Sequence, residues 1–220
     1  DNASALRARG SADFLLVNHV LLGGPVGAAS GLPYVVKAHG SELEYSMRGR
    51  SDLAEAASLA LTPAEAVFVG SDHIRQVLED VVGPVEGVLE VPPGVDVEEF
   101  VPQSRDEALR DLLDECRRDP PNPQNANERL PDEGNAARLE RFLTGDKPTV
   151  LYFGKLLYNK GVHLLLEAMH GLDAKAIVAG FGDYRQRLEQ LASTRSLFTG
   201  QLEHRHLVHL LPLADAVVVP

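Results

Sequence analysis

The chain has 220 residues, 44% hydrophobic and 24% charged, which is the composition of a soluble globular protein with room for one large domain or two small ones. A formal net charge of −11 and a 5% aromatic fraction without tryptophan exclude a non-specific nucleic-acid binder, which needs a basic footprint and stacking platforms. No apolar run reaches the roughly 20 residues of a membrane span, no signal-peptide pattern opens the chain, and the lone Cys116 points to a reducing compartment.

Taken in chain order, β-branched runs predict strands over 14–18, 34–38, 66–70 and 87–91, then over 149–153, 175–179, 197–199 and 216–219. Helices are expected at about 43–61, 71–82, 162–170, 183–194 and 203–213. Near-continuous apolar strands alternating with helices predict α/β units with doubly wound parallel sheets, covered on both faces. Residues 103–147 interrupt the alternation with the charged helix "RDEALRDLLDECRRD", the polar "PPNPQNANERLPDEGN" and a short helix near 136–143. That composition predicts a charged, Pro-rich linker with short helices. The expected organisation is therefore an α/β unit over 1–102, the linker over 103–147, and a second unit over 148–220. Each unit has only about four strands, few for a self-sufficient doubly wound sheet; the missing initial methionine and the stop after "VVVP" read as cut ends.

Several loops follow strands, where an open parallel sheet binds its ligands. In "FGKLLYNKG" (153–161), Lys155 and Lys160 bracket a turn beside Gly154 and Gly161. The next helix starts there, so the loop reads either as a solvated turn or as a cradle for a diphosphate. In "AIVAGFGDYRQRLEQLA", Gly180 and Gly182 allow close backbone approach to a ligand, while Arg185 stands where a dinucleotide fingerprint needs its third glycine. Arg185 and Arg187 are expected on the exposed face of a helix. In "YVVKAHGSELEYSMRG", His39 and Gly40 follow a strand, with Ser41 and Glu44 spaced as a capping box. Ser71 reads as another helix cap, and Gly94 in "PPGVDVEEF" as a turn residue at positive φ. His204, His206 and His209 lack the spacing of a metal site, and Glu42, Glu44, Glu98 and Glu99 do not form a pair facing across a cleft.

In their order these segments resemble the GT-B-fold, retaining glycosyltransferases of family 4 (glycosyl transferases group 1). The match runs from "VVKAHGSELE" through "VPPGVDVEEF", "FGKLLYNKG" and "AGFGDYRQRLE" to "FTGQLEHRHLVHLLPLADAVVVP". It covers most of 14–220 except the linker, with Lys155 where the family has arginine. The family's glutamate-x7-glutamate motif would lie just beyond "VVVP". The resemblance implies an N-terminal, acceptor-side Rossmann-like domain and a C-terminal one binding a UDP or GDP sugar. It implies transfer of a hexose-type sugar to a hydroxyl of a carbohydrate, lipid or small molecule, with retention and without a metal or other cofactor. His39, Lys155 and Lys160 take catalytic positions, and Gly40, Gly154, Gly161, Gly180 and Gly182 line the donor. The family setting is cytoplasmic, with peripheral contact at the inner face of the membrane as a variant. The competing implications are a nucleotide-binding regulatory fragment and a GT-B-fold epimerase or phosphorylase.

Overall fold

The structure, a computed structural model, describes residues 10, 12–123 and 130–220, so residues 124–129 of the expected linker lie outside it. Two compact units result, the first ending at Val95 and the second beginning at Asp96.

In the first unit β1 (Leu15–Asn18), β2 (Tyr34–Lys37), β3 (Ala66–Val69) and β4 (Val88–Glu90) form a parallel sheet in the order β1-β2-β3-β4. Every connection steps to the next neighbour in one direction, so right-handed crossovers place the helices on one face. There Tyr34, Val36, Val67 and Val69 pack against Leu43, Met47, Ala57 and Leu78. Leu16 and Leu89 point away from that core and remain exposed.

The helical layer consists of a π-helical turn (His19–Gly23), α1 (Gly24–Ser30), a second π-helical turn (Glu42–Met47), α2 (Ser51–Leu61) and α3 (Asp72–Val82). The first turn and α1 are not among the helices expected from the sequence, since "GGPVGAASG" is rich in glycine, which disfavours a helix. Tertiary packing overrides that composition: a side chain at Gly27 would stand 2.4 Å from the Tyr34 ring. The helix expected over 43–61 is two pieces, divided at Gly49, whose φ is 78°. Ser41 makes no side-chain cap, and Glu44 pairs instead with Arg48 and His73. Ser71 does cap α3, accepting from the Ile74 amide at 3.4 Å.

In the second unit β5 (Thr149–Phe153), β6 (Lys175–Ala179), β7 (Ser196–Phe198) and β8 (Ala216–Val217) are parallel in the order β7-β6-β5-β8. Successive residues of β5 and β6 alternate between two cores, as the pleat demands. Tyr152, Ala176 and Val178 face α6 (Val162–Met169) and α7 (Arg185–Leu191). Leu151, Ile177 and Ala179 face α4 (Arg105–Arg117), α5 (Asn135–Leu143) and α8 (His204–Leu210). This sheet is covered on both faces. Residues expected as linker thus supply two core helices, with Ala108, Leu112, Leu139 and Leu143 buried. The first turn of α5 is stitched to the end of β7: the Asn135 side chain donates to the Thr199 carbonyl at 2.8 Å, and Arg138 to that of Phe198 at 2.7 Å. Among the described residues no helix is long and apolar enough to cross a membrane.

Candidate functional site

The order β7-β6-β5-β8 places a switch point beside β5, because the chain winds one way through β6 and β7 and then returns to β5's other side. Open α/β sheets bind ligands at the carboxyl ends of strands at such a point. The loop carrying both lysines leaves β5 there, and a side chain on Gly161 would meet Pro220, just past β8, at 3.1 Å. Gly154 continues β5 at φ 149°, and Gly161 is the N-cap of α6 at φ 68°.

That loop is locked to the one after β6. The Gly154 amide donates to the Ala179 carbonyl (2.9 Å), Leu156 to Phe181 (2.7 Å) and Tyr184 to Leu156 (3.1 Å). Gly180 and Gly182 make the contact possible, at φ 156° and 151°, where a side chain is strained. A Cβ on Gly180 would stand 1.8 Å from the Gly154 carbonyl oxygen, and one on Gly182 2.3 Å from that of Leu156. The close approach expected toward a ligand is in this structure an approach of one loop to the other.

Lys155 and Lys160 are both exposed, and among the described residues neither has a carboxylate within ion-pair distance. The Lys155 backbone is held by Tyr152, whose hydroxyl donates to its carbonyl at 2.8 Å. Lys160 ends a 3-10 turn (Tyr158–Lys160) that runs into α6. The first turn of α6 has neither a capping side chain nor an acidic residue, whereas α3 and α4 are capped by Ser71 and Ser104. Within that turn the Leu164 amide donates to the Gly161 carbonyl at 2.9 Å, and the positive end of the dipole lies at the lysine loop. A cavity of about 240 Å³ adjoins the loops, lined by Phe153, Lys155, Phe181, Gln201, Leu202 and Leu207. Lys155 is in its wall and Lys160 is not.

Tyr158 stacks on His163 with centroids 4.8 Å apart, and Tyr184 meets both rings edge-on. This cluster fixes the lysine turn against the start of α7. Arg185, expected on an exposed helix face, is half-buried and donates two hydrogen bonds to Asp132 at 2.8 and 2.7 Å. The carboxylate holds the guanidinium protonated well above its ordinary range, ahead of the opposing effect of burial.

In the first unit His39 follows β2, and Gly40 packs so closely on α3 that a Cβ would stand 2.6 Å from Ile74. His39 does not stand alone. Its Nε2 donates to Asn18 Oδ1 at 3.1 Å, and its ring lies 4.5 Å from that of His19. Burial lowers the His39 pKa, and His19 and Lys37 push it the same way against an opposing pull from Glu42. Glu42 is itself buried, accepting from the backbone amides of Val20 (2.7 Å) and Leu21 (2.9 Å). Sequence reasoning singled out neither Asn18 nor His19. The available signal was positional: "NH" ends β1 as "HG" ends β2, and in a parallel sheet both point to the ligand side.

The three histidines of "LEHRHLVHLL" go to three partners, Glu99 (2.9 Å), Asp119 (3.1 Å) and Gln103 (2.9 Å). Cys116, Asp119 and His206 have ligand atoms within 4.8 Å of one another. All are committed to the fold, however. His206 Nδ1 accepts from the Glu203 amide, Asp119 receives Arg205, and burial pushes the Cys116 thiol up to about 12. Gly94 is not at positive φ; the turn there is made by Asp96, whose Oδ1 accepts from the Glu98 and Glu99 amides.

Residues 136–220 match the family Glycosyl transferases group 1. An alpha-D-kanosaminyltransferase of Streptomyces kanamyceticus is 34% identical over 99 residues, 40% of this chain and 26% of the relative. A GDP-mannose-dependent alpha-(1-6)-phosphatidylinositol monomannoside mannosyltransferase of Mycolicibacterium smegmatis is 26% identical over 178 residues, 77% of this chain and 38% of the relative. Among solved structures, Anabaena HepE in complex with UDP-glucose superposes with a TM-score of 0.72 at 18% identity, over 98% of this chain and 55% of HepE. The chain therefore spans about half of HepE or less of the curated relatives, and the likeness to HepE shows the GT-B fold.

Proposed function

We propose that this chain, whose residues 136–220 carry the Glycosyl transferases group 1 segment on a GT-B fold, is part of an enzyme that transfers a sugar from a nucleoside diphosphate sugar to an acceptor hydroxyl. The observation that carries the reading is the uncapped start of α6, flanked by two unpaired lysines at the switch point of a doubly wound sheet. The start of a helix and two exposed lysines belong to one loop in a chain of net charge −11. The chemistry that needs such a loop is departure of a diphosphate, whose negative charge grows as the glycosidic bond breaks. The adjoining cavity, largely apolar, suits the planar base of the same nucleotide.

In this reading Lys155 and Lys160 stabilise the leaving diphosphate, so the positive charge comes from side chains and no metal is called for. Gly154, Gly161, Gly180 and Gly182 act by shaping the two interlocked loops. His39, with Gly40 behind it, serves the sugar or the acceptor in the first unit. The finer assignment is a hexose-type sugar, delivered from UDP or GDP with retention of configuration. The two-base choice is supported by one relative named for GDP-mannose and one neighbour solved with UDP-glucose.

The test is Lys160→Ala, assayed by donor turnover in the full-length protein. Turnover should fall on the order of 100-fold or more, as loss of a preorganised charge partner does. Near-normal turnover would remove Lys160 from the mechanism.

A further inference from the structure

Among the described residues His19 is the sole non-glycine at positive φ, 69°. A left-handed backbone is uncommon outside glycine, and strain of this kind persists where the surroundings over-determine it. Here they do. The turn after His19 is pinned from below by Glu42, whose two carboxylate oxygens take the Val20 and Leu21 amides at 2.7 and 2.9 Å. It is closed from behind by Gly23, where a side chain would stand 2.2 Å from the Asn18 carbonyl oxygen. This geometry brings the His19 ring against the His39 ring, centroids 4.5 Å apart and tilted by 32°.

We propose that His19 is a positioning residue, whose left-handed backbone sets its ring against His39 and, together with Asn18, holds His39 in a single tautomer. Asn18 Oδ1 accepts from His39 Nε2 at 3.1 Å, which puts the ring proton on Nε2. The Nδ1 lone pair is then the one offered outward, to accept a hydroxyl hydrogen. His19 itself reaches Glu42 through Nδ1 at 3.6 Å, a second contact that fixes its ring.

Burial is the first of the effects that lower the His39 pKa; His19 from the end of β1 and Lys37 from β2 act the same way, and Glu42 opposes them. Helix α3 contributes Ile74 beneath Gly40 and His73, the latter 3.6 Å from Glu44. The Asn18 bond and the ring contact thus hold the His39 imidazole aimed, and burial favours its neutral form, the one that can accept a proton.

The inference rests on the proposed role of His39 in transfer, and its test is chosen to be independent of activity. Histidine ring nitrogens of the full chain are observed by NMR in the native protein and in His19→Asn, since asparagine tolerates the left-handed backbone but removes the ring. In the native protein His39 should show the Nε2–H tautomer and titrate below the ordinary histidine range. In His19→Asn the tautomer should become mixed and the midpoint should move up. Should His19→Asn not fold, His19→Gly relieves the backbone and serves the same comparison. An unchanged His39 tautomer and midpoint in a folded variant would reduce His19 to a turn residue and overturn the proposal. A mixed tautomer in the native protein would do so as well. If the protein transfers a sugar, the acid limb of its kcat/KM profile should shift upward with the midpoint. If it transfers none, the proposed function fails while the ring measurement still decides the role of His19.

Discussion

A methyl group on Gly182 would stand 2.3 Å from the Leu156 carbonyl oxygen, at a φ of 151° that side chains rarely adopt. Gly182→Ala should therefore destabilise the second unit by roughly 2 kcal/mol or more, through overpacking and backbone strain together. Urea denaturation measures this, and a loss within the roughly 0.5 kcal/mol of an ordinary surface substitution would mean the two loops are not interlocked. The glycine pair was legible in the sequence as a place of close approach, but not what approaches it. That depends on a loop about 26 residues earlier, which no local pattern encodes. Arg185 is the same case: its position on a short helix suggests exposure, and its partner Asp132 lies 53 residues away. His19 was invisible for another reason, since a left-handed backbone at a non-glycine residue has no signature in composition.

Among the elements, α8 shows how a buried polar tie governs stability. His206 is fully buried, with Nε2 donating to Asp119 across to the end of α4. Burial lowers its pKa, more than Asp119 raises it. The unfolded chain takes up a proton near the ordinary value of about 6.5, and the folded form resists until lower pH. The stabilisation is thus complete above that value and is lost as pH falls below it and through the lower folded value. Denaturation midpoints should drop between neutral and mildly acidic pH, and His206→Gln should flatten that dependence; an equal slope in both proteins would show that His206 is not the titrating group. The strands were the most legible elements, because β-branched runs bounded by turn residues have few alternatives. The helices of 103–147 resemble a linker in sequence because charged α4 and polar α5 each offer only one apolar stripe. Only the face of the second sheet, with Leu151 and Ile177, shows where those stripes go.

For the whole molecule the contrast that matters is between a chain of net charge −11 and the two exposed lysines of the loop that leads into α6. Bulk charge repels an anionic substrate, so recognition has to be local, short-range and weakened by salt. The central claim is that Lys155, Lys160 and the α6 amides hold a diphosphate. The most direct measurement is calorimetric affinity for UDP against uridine, and GDP against guanosine, in the native chain and in the Lys155→Ala/Lys160→Ala double variant. The diphosphate should strengthen binding of one pair by at least about tenfold per lysine, the equivalent of about 1.4 kcal/mol each, and the double variant should lose that advantage while keeping its affinity for the nucleoside. A native chain that binds nucleoside and diphosphate equally, or a double variant that keeps the full preference, would contradict the account.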